Sequence, residues 1–171
     1  IENYIHDNRG DGIIINNENT TNPENLVGNV ISMNILQRNR RGIDLHQAFA
    51  TEISHNLIEN NGEGIYLVKS QNNEIFNNTC YFNSLCGIYL EDSDGNVISN
   101  NNCTANGDDG ISLLRSDGNT IEDNYCNTNF NYGILIQDSE NNVLSGNVEE
   151  NNYAPINRRG AIGFAIGIVA I

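Results

Sequence analysis

The chain has 171 residues, a net charge of −14, no tryptophan and a single lysine, Lys69. So acidic a chain excludes nucleic acid and an anionic membrane surface as partners, because both need clustered Lys and Arg. Few aromatics leave no material for a bulky core, yet Ile, Leu, Val and small residues suffice for a narrow stacked one. One domain, or a piece of one, is expected.

The chain opens at Ile1 rather than Met and in mid-repeat, since Asn3 and Asn8 match the later Asn34 and Asn39. That reads as a fragment or a processed form. From Gly12-Ile13 onward one phrase returns: Gly-Ile-x-Leu, then Asn-x-Ile, then Asn-x-(Cys/Ile). Its Gly-Ile pair recurs at Gly42, Gly64, Gly87, Gly110 and Gly133, in steps of 30, 22, 23, 23 and 23 residues. So fixed a period means stacked, near-identical units.

Residues 87–106 show one unit. Gly87-Ile88-Tyr89-Leu90 is a strand with Ile88 and Leu90 facing inward and Tyr89 and Glu91 outward, by the two-residue alternation of strands. Asn96-Val97-Ile98 and Asn101-Asn102-Cys103 are the second and third strands. Turns rich in Asn, Asp, Gly and Ser separate them, and no 3.6-residue periodicity supports a helix. Stacking the units predicts inward columns: Ile13, Ile43, Ile65, Ile88, Ile111, Ile134; Ile31, Ile53, Ile75, Ile98, Ile121, Leu144; and Leu36, Ile58, Cys80, Cys103, Cys126. A turn column of Asn34, Asn56, Asn78, Asn101, Asn124 and Asn147 predicts amides bonded along the axis. The fold expected is an all-β, right-handed, single-stranded parallel β-helix with three sheets and about seven coils, over residues 1–152.

Two departures from the repeat coincide. An insert at Asn17–Asn25 projects beside one strand and can wall a groove. In the next coil, Arg40-Arg41-Gly42-Ile43-Asp44-Leu45-His46 places Asp44 and His46 on the outer face. The outward strip of this sheet then carries Asn16, Asp44, His46, Tyr66, Tyr89 and Glu91, read as exposed. Rings stack on sugar faces, and amides and carboxylates bond hydroxyls. Farther along, the same columns become Ser112, Leu114, Leu135 and Gln137, which are less polar.

Cys80, Cys103 and Cys126 stand 23 residues apart in one inward column, with Cys86 at a turn. No C-x-x-C occurs and no His shares the column, so these thiols read as small core residues, and neither metal nor cofactor is expected. Asp108-Asp109, Glu91-Asp92-Asp94 and Glu149-Glu150 read as turn acids, which leaves a hydrolase with little support. Residues 153–171 read as a final strand or end-cap. The apolar run Gly160–Ile171 behind Arg158-Arg159 falls short of the about 20 residues that span a bilayer, so no membrane insertion by this segment is expected.

The repeat phrase resembles the parallel β-helix repeat of the NosD-like, carbohydrate-binding and sugar-hydrolase (CASH) superfamily. Within it, Gly42-Ile43-Asp44-Leu45-His46, followed by Thr51-Glu52-Ile53-Ser54-His55-Asn56, is similar to the Tyr-Gly-(Phe/Ile)-Asp-Pro-His signature of mannuronan C5-epimerases. That likeness implies His46 as the base at C5, Asp44 as its neighbour and Arg41 or Arg40 as the uronate carboxylate partner. Arg41 stands at the motif's Tyr and Leu45 at its Pro, so a second proton carrier would have to come from Tyr66. The superfamily includes enzymes and binding proteins. The reading is an extracellular, cell-surface or periplasmic module that contacts a polysaccharide through Asn16, Tyr66, Tyr89 and Glu91. The alternatives are a uronan epimerase or lyase using His46, and a structural or adhesive stalk.

Overall fold

The computed structural model describes residues 3–17 and 28–154, and all their regular structure is strand. Three parallel sheets wind around one interior. The first runs Tyr4–His6, Ile35–Gln37, Leu57–Glu59, Thr79–Tyr81, Asn102–Thr104, Tyr125–Asn127 and Val148–Glu150. The second runs Ile13–Asn16, Arg41–His46, Glu63–Val68, Ile88–Glu91, Ile111–Leu114 and Ile134–Gln137. The third runs Val30–Ser32, Glu52–Ser54, Glu74–Phe76, Val97–Ser99, Thr120–Glu122 and Val143–Ser145. The architecture is therefore the expected parallel β-helix. The described coils are slightly fewer than seven: the first sheet has seven strands and the other two have six. The insert beyond Asn17 and the apolar run Gly160–Ile171 lie outside the described residues.

Register follows the predicted columns. Ile43 pairs with Ile13 and Ile65, Ile53 with Ile31 and Ile75, and Cys103 with Cys80 and Cys126. A fourth inward column, Ile15, Leu45, Leu67, Leu90, Leu113 and Ile136, completes the interior. From Ile43 to Ile134 these aliphatics are fully buried, and each contributes on the order of 1.5–3 kcal/mol by leaving water. The glycine of the repeat is there for room rather than for φ. A Cβ on Gly64 would stand 2.2 Å from the Gly87 carbonyl oxygen of the next coil.

Burying so much backbone at tight turns strands polar groups, and stacked amides satisfy them. Asn78 Nδ2 donates to the carbonyls of Ile53 and Phe76 and to Asn101 Oδ1, at 2.8, 3.1 and 3.0 Å. Asn78 Oδ1 in turn accepts from the backbone and side chain of Asn56. The expected Asn34-to-Asn147 column is thus a continuous ladder. Two more Asn ladders were not foreseen. One runs Asn39, Asn61, Asn83, Asn106, Asn129, Asn152, and the other Asn73, Asn96, Asn119, Asn142. A serine ladder of Ser70, Ser93, Ser116 and Ser139 joins them, each backbone N–H donating to the hydroxyl of the serine one coil later.

The chain turns its corners through left-handed residues. Arg38, Asn60, Phe82, Ala105 and Thr128 form one such row, with φ between 52 and 57°, and Lys69, Asp92 and Arg115 belong to another. Asparagine and aspartate tolerate this region, whereas most side chains incur strain there.

Candidate functional site on the second sheet

The second sheet carries the strip, and two of its strands are unusual. Arg41–His46 and Glu63–Val68 have six residues each, where the other strands of this sheet have four. Register sets Asn16 beside His46, Asp44 beside Tyr66, and Tyr66 beside Tyr89. The expected neighbours are therefore brought together. Their expected exposure is corrected: Asp44 is 0% and Tyr66 8% exposed, although both point outward. Alternation sets the direction of a side chain, but the arginines around Asp44 decide its access to water.

Two arginines and a further acid close over Asp44. Arg41 Nη1 donates to Asp44 Oδ2 at 3.0 Å and its Nε to Glu63 Oε2 at 2.6 Å. Arg40 grips Asp11 with Nε and Nη2, at 2.9 and 2.6 Å, and its Nη2 lies 3.5 Å from Asp44 Oδ2. His46 Nε2 stands 3.0 Å from Asp44 Oδ1, and that oxygen is a buried acceptor without a hydrogen bond. Arg40 reaches both Asp11 and Asp44, so the two carboxyls share a site. Burial raises the pKa of Asp44 more than Arg41 and His46 lower it. Burial acts the same way on Asp11, but the hydrogen bond and charge of Arg40 outweigh it and hold Asp11 low. Of the two, Asp44 is the carboxyl that keeps its proton longer, as expected for paired acids.

The arginine plane continues into a row of rings. The Arg41 guanidinium carbon lies 3.6 Å from the centroid of Tyr66. Tyr66 stacks on Tyr89 with centroids 5.4 Å apart, and His46 stands 6.2 Å from Tyr66 on the other side. Tyr66 Oη donates to Glu91 Oε2 at 2.9 Å, and Arg115 holds the other oxygen, Oε1, at 2.5 Å. Burial, then the nearby Glu91 carboxylate, pushes the Tyr89 phenol up to about 12 and Tyr66 higher still. Both phenols therefore stay protonated at neutral pH and act as hydrogen-bond donors.

Asp11 was missed by the sequence reading, as was the cluster of Cys86, Asp108 and Asp109, whose ligand atoms all lie within 4.8 Å of one another. All but Asp108 belong to one column, the residue just before each repeat glycine: Asp11, Arg41, Glu63, Cys86, Asp109, Tyr132. Aligning that column would have shown its charge changing sign from rung to rung. Asp109, read as a turn acid, is 2% exposed, and burial raises its pKa to about 6. Two concavities among the described residues lie elsewhere. A groove of ≈ 470 Å³ is lined by Asn3, Tyr4, Met33, Asn34, Ile35, His55 and Leu57, and another of ≈ 260 Å³ lies over the third sheet at Glu52 and Glu74. The strip is a flat, charged face beside neither of them.

A solenoid with one irregular polar face defines the class: a parallel β-helix whose repeat is structural and whose departures are local. The chain belongs to the NosD family, described as periplasmic copper-binding protein, whose model matches residues 1–163. Among solved structures it is similar to the periplasmic alginate epimerase AlgG, at 30% identity and a TM-score of 0.67. That match covers 69% of this chain and 29% of that one, so this chain spans under a third of the enzyme's length. It is also similar in fold to the A-module of the mannuronan C-5 epimerase AlgE4 of Azotobacter vinelandii, at 15% identity and a TM-score of 0.73, over 93% of this chain and 55% of that one. A comparison with curated protein sequences gives no match.

The family description raises copper, and the described donors do not fit it. Soft copper takes thiolate, thioether or imidazole sets. Cys80, Cys103 and Cys126 are fully buried among aliphatics, and Cys103 is held protonated by its two sulfur neighbours and by burial. The Cys86 cluster adds one thiol to two carboxylates, a harder set. Met33 and His55 share a groove wall but make only two donors.

Proposed function

We propose that this chain is a polysaccharide-interacting β-helix of the cell envelope, periplasmic or extracellular, that holds an extended glycan along the outer face of its second sheet. The observation that carries this reading is the outward patch of His46, Tyr66 and Tyr89: the two tyrosines stack on adjacent rungs of one column, and His46 stands diagonally from Tyr66 in the next column, which also holds Asn16 and Glu91. Coils stack about 4.8 Å apart, so His46 and Tyr89 offer apolar contacts on either side of the covered Tyr66 ring. The phenols and the Glu91 carboxylate supply donors and acceptors for hydroxyls. The likeness to a periplasmic alginate epimerase supports both the ligand class and the compartment.

The test is a calorimetric titration of the chain with neutral and uronic oligosaccharides, beside Tyr89→Ala. Removing one stacked ring is expected to weaken binding about tenfold, for ~1–1.5 kcal/mol of lost contact. Binding untouched by Tyr89→Ala would move the site off this face. No binding by any glycan would leave a structural stalk as the surviving reading.

A second reading is a uronan C5-epimerase or lyase. The 3.0 Å approach of His46 Nε2 to Asp44 favours it, since a nearby carboxylate stabilises the imidazolium that forms when the ring takes a proton. His46 would take the C5 proton, Tyr66 would return one from its phenol, and Arg41 would face the carboxylate. NMR of a uronan incubated with the chain and with His46→Ala tests this. New uronate or unsaturated-end signals that vanish in the variant are expected under this reading, and an unchanged substrate defeats it.

A further inference from the structure

We infer, on the basis of the polysaccharide reading, that the strip selects an uncharged glycan and rejects polyuronates, because its arginines are already occupied by the protein's own carboxylates. A uronate needs a guanidinium with an open edge, since the bidentate fork is what recognises a carboxylate. Arg40 spends that fork on Asp11. Arg41 is divided between Asp44 and Glu63, with Tyr66 against its plane, and its side chain is only 18% exposed. Arg115 is divided between Glu91 and Asp92. On this face three guanidiniums meet five carboxylates: Asp11, Asp44, Glu63, Glu91 and Asp92. Lys69, exposed at the margin, acts on Asp92.

A uronate entering the strip must displace one of these carboxylates and leave it unpaired, or stay beside acids that repel it. The field of the whole chain, at a net charge of −14, adds to that repulsion before contact. A neutral sugar meets none of this. It offers hydroxyls to Glu91 and to the Tyr89 phenol, and a ring face to Tyr89, since Tyr66 lies covered between Arg41 and Tyr89.

Calorimetric titration with mannohexaose, cellohexaose and hexamannuronate, at low and at physiological salt, tests this. A neutral hexasaccharide is expected to bind at least about tenfold tighter than the uronate, and the weak uronate affinity should rise with salt as repulsion is screened. Uronate binding equal to or tighter than neutral binding overturns the inference and leaves the polysaccharide reading standing. No binding by any of the three overturns both. A second variant addresses the cause. Glu63→Gln removes the competing negative charge from Arg41 without changing side-chain shape and should raise uronate affinity severalfold, with folding checked by circular dichroism. An unchanged uronate affinity in a folded Glu63→Gln would overturn the argument from occupied arginines.

Discussion

The Asn ladders and the outer face of the second sheet are both polar columns running along the same axis, and they differ in one respect. A ladder repeats one residue at every rung, so each amide gives its neighbour what it receives, and the column closes on itself. The strip changes residue at every rung but one, from Ile14 to Asp44, Tyr66, Tyr89, Ser112 and Leu135. Its groups must find partners sideways, through Arg40, Arg41 and Arg115. In a solenoid, then, periodic polarity maintains the fold, whereas aperiodic polarity marks where something other than the fold set the sequence.

That contrast breaks most sharply in the ladder itself. Asn78→Ala removes three donated bonds, takes a donor from the Ile53 carbonyl and leaves the buried Asn56 backbone N–H without its acceptor. A loss of about 2–4 kcal/mol is expected, read as a lower denaturant midpoint. A cost within ~0.5 kcal/mol would show that water replaces the amide and that the ladder is ornament.

Next in size is Asp109, the buried acid of the aperiodic column. Burial raises its pKa to about 6 in the folded chain, from the ordinary 3.8 of an exposed aspartate. The folded state therefore binds more protons than the unfolded state between these values. Stability falls as pH rises through that window and levels off above about 6. The penalty at neutral pH is on the order of 1–3 kcal/mol. Asp109→Asn should flatten the curve of unfolding free energy from pH 4 to 7 and raise stability at pH 7. A stability that climbs with pH across this window in the parent, and is unaffected by the variant, would refute the assignment.

The smallest effect belongs to the thiol column, which is periodic but only fills space. Cys103→Ala should cost about 1–2 kcal/mol through the small cavity it opens. The thiols of the parent should react with a disulfide reagent only on unfolding, and rapid labelling of Cys103 in the native chain would contradict its burial.

The sequence made the fold legible because period, inward alternation and turn residues agree at every coil. The Asn34 column was equally plain, since it follows the second strand at a fixed offset. The Asn39 and Asn73 ladders hid in turns, where a high asparagine count masks register. For the strip, alternation correctly put Asp44, His46, Tyr66 and Tyr89 on one face. It could not show that Asp44 is covered, because coverage comes from long arginine side chains and from Asp11, a whole long coil earlier. Nor could it show that Arg41 is already paired with Glu63, since that pairing depends on rotamers across neighbouring strands. What escaped the reading is therefore lateral: the contacts between columns rather than along them.

The left-handed corners have a consequence for change. Because a corner residue points away from the sheets, a row such as Arg38, Asn60, Phe82, Ala105 and Thr128 accepts an arginine, an amide, a ring, a methyl and a hydroxyl in turn without disturbing a core that tolerates little variation. These rows work as a margin on which new side chains can be written one line per coil. A lineage could redecorate the outside of this cylinder, or an engineer could place a chosen pattern at ångström spacing, while the text of the interior stays fixed.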